Sequence, residues 1–106
     1  MAATNQELAA QVRAAEIAFA KSMADRDLKA FEGYVSSEAL FFGSVRVLRG
    51  REAVVEIWKN FFEGPTAPFS WAPETVEVLD SGTLALSSGP VHDPGGKLIN
   101  TFSSIW

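Results

Sequence analysis

The apolar residues of this chain change their period once, near Phe69, and that change limits the folds open to it. Before Phe69 they recur every three or four residues, the spacing of one helical face; after it they alternate, as on a half-buried strand. Helices followed by a strand meander imply an α+β domain, with the helices packed on one face of a curved antiparallel sheet that forms a cone. At 106 residues the chain has apolar surface for one core, so a single domain is expected over 1–106.

Local signals place the helices. Thr4-Asn5-Gln6-Glu7 matches a capping box, and Leu8, Val12, Ala15, Phe19 and Met23 follow as one apolar stripe. Gln11, Arg13, Glu16 and Lys21 are expected away from that stripe, on a helix running from about Asn5 to Ala24. Asp27 sits as an N-cap before Leu28, Phe31, Tyr34 and Val35, and Ser36-Ser37-Glu38 ends this short second helix. Ala39 to Phe42 and Val45 to Leu48 are β-rich runs separated by Gly43-Ser44, which suits a tight hairpin or a bulged strand. Gly50 precedes a third helix, Arg51 to Phe62, with Val54, Trp58 and Phe61 on one face and Gly64-Pro65 as its stop.

The alternating half reads as three strands: Trp71 to Leu79, Leu84 to Val91 and Leu98 to Trp106. Asp80-Ser81-Gly82 and Asp93-Pro94-Gly95-Gly96 are the turns between them. By alternation Leu84, Leu86, Ser88, Pro90 and His92 share one face, and Leu98, Asn100, Phe102, Ser104 and Trp106 share a face of the next strand. If both line the cone, Ser88, His92 and Asn100 are polar groups among Phe19, Trp58, Leu86 and Phe102. A few polar groups converging in an apolar cavity describe a small-molecule site.

Other chemistry finds less support. The chain has no cysteine and one histidine, which rules out thiolate catalysis, disulfides and multi-histidine zinc centres, and nothing points to a metal or another cofactor. A net charge of −4 argues against nucleic acid and anionic membranes as partners. No apolar run is long enough to span a bilayer, and the polar, helical start is unlike a secretory signal, so a cytoplasmic protein is expected. His92 and Asp93 are neighbours on a strand, so their side chains diverge and cannot form a catalytic pair. His92 also reads, more simply, as a solvated residue beside a turn. Arg46, Arg49 and Arg51 near the start of the third helix could attract an anion, but without a glycine-rich loop they read as surface cations. Glu52 and Glu56 share a helix face and lack a third ligand, so they too read as surface charge. Trp58, Phe61, Phe62, Phe69 and Trp71 suit either a ligand wall or a core.

The ADRDL step between the first helices, the LRGREAV run into the third, SWAPETVEVLDSG, the SSG…PGGK hairpin and the TFSSIW strand together resemble the nuclear transport factor 2-like superfamily. These are the cystatin-like α+β cones, and the resemblance is strongest to the SnoaL-like and ketosteroid-isomerase-like group of small bacterial domains. It implies the fold and leaves the activity open, since the superfamily holds isomerases, cyclases, dehydratases, hydrolases and non-catalytic association domains. With the polar groups expected in the cone, the leading expectation is a small-molecule-binding domain for a hydrophobic, partly polar metabolite. Whether it is an enzyme stays open, and any acid–base role would fall to His92, with Asn100 and Ser88 as orienting partners. Ketosteroid isomerases carry an oxyanion-hole tyrosine where this chain has Phe19, a general-base aspartate where it has Gly43, and a second acid near Asn100. Lacking the hydroxyl and the base, the chain is not expected to be a ketosteroid isomerase.

The resemblance also implies a final strand, central in the sheet, beyond TFSSIW. The sequence stops at Trp106, so two neighbouring strands are expected to have unpaired backbone. A partner chain, a sheet rearrangement or a truncated sequence would each account for it. The competing function is a non-catalytic association module with a self-filled cone, a homodimer formed through the sheet or by strand exchange.

Overall fold

A computed structural model of the chain describes residues 4–42 and 46–106. Helix α1 (Asn5–Ala24) starts as its capping box requires: the Thr4 hydroxyl accepts from the backbone N–H of Glu7 at 3.1 Å. Helix α2 (Leu28–Gly33) is capped by Asp27, whose carboxylate accepts from the Ala30 N–H at 3.0 Å. Between them Arg26 takes a left-handed backbone (φ 60°), a conformation that L side chains resist. Its guanidinium holds the turn in place by donating to the carbonyls of Met23, Phe61 and Gly64 while lying over the Phe62 ring at 5.3 Å.

Strands β1 (Leu40–Phe42) and β2 (Val47–Arg49) pair antiparallel, Leu40 opposite Arg49, as a separate two-stranded sheet. Gly43, Ser44 and Val45 lie outside the described residues, and with them the position expected to replace a general base. Helix α3 (Arg51–Trp58) ends four residues earlier than expected, and Lys59–Phe62 tighten into a 3₁₀ turn.

The larger sheet is built around β5 (Ala85–His92), which pairs antiparallel with β6 (Leu98–Ile105) on one side. On its other side lie β3 (Ser70–Trp71) and β4 (Thr75–Val78), both antiparallel to it. The run Trp71 to Leu79, expected as one strand, is therefore broken. Trp71 pairs with Val91 and Val76 with Ser87, so five steps on one strand match four on the other. That extra residue is a bulge, and it lets Trp71 and Val76 face the same side despite an odd spacing. The bulge presses its backbone onto Gly89, where a Cβ would meet the Ala72 carbonyl oxygen at 2.0 Å.

Helix and sheet enclose a core of Phe19, Met23, Phe31, Val35, Val54 and Trp71. Phe41, Trp58, Phe61, Phe62, Phe69, Phe102 and Trp106 pack against it and stay partly exposed. The architecture is the expected α+β one, with N-terminal helices on an antiparallel sheet. The chain exposes 7131 Å², whereas a compact protein of 11.5 kDa exposes about 5,800 Å². Its radius of gyration, 14.2 Å, likewise exceeds the roughly 13 Å expected for its length.

Candidate functional site

One helical turn before Phe19, Glu16 is completely buried. The Trp71 indole N–H donates to its Oε2 at 2.9 Å, and the Trp106 indole N–H donates to its Oε1 at 3.1 Å. Because Trp71 lies on β3 and Trp106 directly follows β6, on either side of β5, a carboxylate bridging the two indoles spans the inner face of β5. Ser87 lies on that inner face, fully buried, and its Oγ has no hydrogen-bond partner among the described residues. Phe19 adjoins the pair, its ring edge-on to Trp71 at 5.5 Å and to Trp106 at 5.9 Å. No Lys or Arg of the described residues forms a salt bridge with Glu16.

Burying a carboxylate away from cations is costly, and two charge-assisted N–H donors are the compensation here. The resulting group is an oriented acceptor in an aromatic setting. Such a group can hold a hydroxyl or take up a proton.

The expectation that Glu16 faces solvent is thus wrong. Val12, Glu16, Phe19 and Met23 stand at spacings of four, three and four, so the glutamate lies on the helix stripe itself. Its charge argued for the outside. Its partners, 55 and 90 residues away along the chain, argued for the inside and could not be read locally.

The residues expected to line the cone divide among three places. Phe19, Trp58 and Phe102 belong to or pack against the core. Leu86, Ser88 and His92 lie on the opposite, outer face, because Ala85, Ser87 and Val91 take the inward parity of β5. Leu86 is 46% exposed. The register also corrects the expected shared face: Phe102 pairs with Gly89 and Ser104 with Ser87, so the Phe102 face and the His92 face are on opposite sides of the sheet. Asn100 is exposed, and its side-chain oxygen accepts from the N–H of Thr101 at 2.8 Å.

His92 borders an open groove of about 460 Å³ with Ala67, Phe69, Ser70, Asp93 and Pro94. Asp93 does not orient it, since its Oδ1 accepts from the Gly95 and Lys97 N–H groups and closes the turn. A second groove is lined by Arg49 and Arg51 with Glu32 and Glu52; the Arg51 guanidinium donates to the Val35 carbonyl at 2.6 Å, which puts that cation in structural use. Glu56 pairs with Lys59 at 2.8 Å. Among the described residues no cluster of three or more His, Asp or Glu side chains could hold a metal ion, and no helix is long and apolar enough to cross a membrane.

Comparison with known proteins bears on the architecture. A ketosteroid isomerase-like protein from Erwinia carotovora atroseptica is similar at TM-score 0.61 and 17% identity, over 88% of this chain and 76% of that one. A protein of the nuclear transport factor 2-like family from Streptomyces avermitilis, described as a proposed dehydratase, aligns at TM-score 0.65 and 17% identity over 96% and 82%. A cystatin-fold protein from Novosphingobium aromaticivorans aligns at TM-score 0.55 and 16% identity over 98% and 86%. These likenesses establish the cystatin-like, nuclear transport factor 2-like fold and nothing finer. No curated protein matches the sequence. The sequence family described as the SnoaL-like domain matches residues 12–96, from the first helix through the β5–β6 turn, and the chain therefore belongs to the SnoaL-like family.

Proposed function

We propose that this chain is a small-molecule-binding domain for a hydrophobic, partly polar metabolite, and that Glu16 is its polar centre. The fully buried carboxylate held by two indole N–H groups carries this reading. Stability alone gives little reason to keep an acid without a cation partner in a core, whereas ligand orientation and proton transfer do. The partly exposed rings of Trp58, Phe61, Phe69 and Phe102 supply apolar surface for such a ligand. The names of the structural neighbours, a ketosteroid isomerase-like protein and a proposed dehydratase, suit a ligand of that kind. Steroid-type enolisation is still excluded from the proposal, since Phe19 has no hydroxyl to donate. His92, on the outer face, loses the acid–base role to Glu16.

Titration of a panel of polycyclic phenols and ketones, followed by tryptophan fluorescence, tests this. Glu16→Gln should weaken binding at least tenfold while the far-UV circular dichroism is kept, and His92→Ala should leave it unchanged. Equal affinity in Glu16→Gln, or no binding of any panel member at millimolar concentration, would overturn the proposal.

A second reading, a non-catalytic association module that dimerises through its sheet, is favoured by the surplus exposed surface and by Leu84, Leu86 and Ile105, each about half exposed or more on the outer sheet face.

A further inference from the structure

The register of the larger sheet places the Glu16 carboxylate along β5. Trp71 stands opposite Val91 on one side of that strand, and Trp106 exchanges backbone bonds with Ala85 on the other. Ala85 and Val91 are six residues apart, about 20 Å along a strand. Two indoles that start so far apart and meet on one carboxylate must lean toward each other. The carboxylate therefore lies near their midpoint, over the stretch Ser87 to Gly89. Gly89 has no side chain, and the bulge backbone presses on it, so Ser87 is the inward side chain of β5 closest to Glu16.

Ser87 is fully buried, and β5 is paired on both sides at this point. Its cross-strand neighbours are Val76, which has no polar side-chain group, and Ser104, which makes no bond with it. A buried hydroxyl with no partner among the described residues is destabilising, and native cores seldom keep one without a use. Alanine fills the equivalent inward place two residues earlier, at Ala85, so packing beneath helix α1 does not call for the hydroxyl. Glu16 has capacity to match. Each of its oxygens accepts one indole N–H, whereas a carboxylate can accept about four hydrogen bonds in all. An unbonded O–H and unfilled acceptor sites thus share one stretch of the inner face.

We propose that Ser87 and Glu16 form a two-point slot for a single hydroxyl oxygen, which selects alcohols and phenols over ketones. This rests on the reading of Glu16 as the polar centre of a ligand site and names the group that the centre takes. The ligand hydroxyl donates to Glu16 and accepts from the Ser87 O–H. A ketone oxygen can accept from Ser87 but has no proton for Glu16, and its lone pairs would face those of the carboxylate. A ligand carboxylate would meet a like charge in a dry setting, which is worse still. Because both groups are completely buried, the slot takes an oxygen and its proton, and the ring that carries them rests outside it. Phe69, partly exposed, borders the open groove, and its ring lies 5.9 Å from that of Trp71, which leaves one indole between the groove and the carboxylate. These rings are the apolar surface on which the ligand body rests.

Isothermal titration with 1-indanol and 1-indanone, which share a skeleton and differ in the oxygen group, tests the slot. The wild-type chain should bind the alcohol more tightly than the ketone by about fivefold or more, the worth of one hydrogen bond. Ser87→Ala should weaken 1-indanol by about fivefold. Its urea midpoint should equal or exceed that of the wild type, because no bond within the protein is lost. Weaker binding without weaker folding is a result that a merely structural serine would not give. Equal affinity of the wild type for alcohol and ketone would overturn the slot. So would a Ser87→Ala variant that binds 1-indanol as well as the wild type while Glu16→Gln does not, an outcome that leaves Glu16 standing as the polar centre. A lowered midpoint in Ser87→Ala with unchanged affinity would assign the hydroxyl to the protein's own bonding and overturn the slot as well. If the wild type binds neither compound at millimolar concentration the slot falls, and if the wider panel of phenols and ketones also fails, the Glu16 reading falls with it.

Discussion

Glu16 invites a measurement whose sign cannot be guessed from one substitution. Glu16→Met leaves two indole N–H groups without an acceptor, at about 1–3 kcal/mol each if both stay buried. It also removes a carboxylate whose burial costs several kcal/mol. The two effects nearly cancel, so the single variant should fall within about 2 kcal/mol of wild type in either direction. A double-mutant cycle with Trp71→Phe separates them. The packing lost with the indole appears in both arms and drops out, leaving the hydrogen bond.

The Trp71 bond is buried and 2.9 Å long, so its coupling to Glu16 should be about 1.5–3 kcal/mol. The Trp106 bond is 3.1 Å and only partly buried, and its coupling should be smaller, about 1–2 kcal/mol. Urea unfolding followed by circular dichroism suits the cycle, because the fluorescent residues are themselves altered. With a slope of roughly 1–3 kcal/mol per molar, these couplings move midpoints by about 0.3–3 M. Coupling below about 0.5 kcal/mol at both indoles would refute the reasoning, since that is the value expected of independent sites. Glu16 would then be a packed side chain and no oriented acceptor.

Two further substitutions probe the frame around it. Gly89→Ala drives a Cβ into the Ala72 carbonyl and the Glu74 amide, at 2.0 and 2.9 Å, and neither is a side chain that can swing away. Thermal unfolding should show a loss of about 3 kcal/mol or more, whereas Gly33→Ala, with nothing within 4 Å, should be neutral or slightly stabilising. Parity between the two would contradict the bulge. Arg26→Gly relieves about 1–2 kcal/mol of left-handed strain. It also gives up bonds to three carbonyls worth about 1 kcal/mol each. Urea titration should therefore find it less stable by about 1–3 kcal/mol, and a variant more stable than wild type would show that the strain outweighs the clamp.

The sequence revealed what local chemistry decides. Thr4 and Asp27 announce their helices because a cap is a hydrogen bond reaching only a few residues along the chain, and Asp93-Pro94-Gly95-Gly96 announces a turn for the same reason. The inward parity of β5 was hidden because both of its faces mix apolar and hydroxyl residues: Ala85, Ser87 and Val91 against Leu84, Leu86 and Ser88. Size decides between them only once helix α1 is in place. The small residues go beneath the helix and the leucines outside. The break at Pro73 was equally hidden, since it exists to bring Trp71 and Val76 to one side, and Trp71 is needed there for Glu16. Of the candidate site, Phe19 was visible in the sequence and its acidic neighbour was not.

The indole clasp on Glu16 has a consequence for the order in which the chain acquires its shape. Synthesis delivers the glutamate 90 residues before Trp106. Until then one carboxylate oxygen lacks its donor, and seating the first helix fully against the sheet would strand it. Long-range closure of this kind slows folding. Helix α1 is thus fully secured only once Trp106, 90 residues beyond its glutamate, has been made.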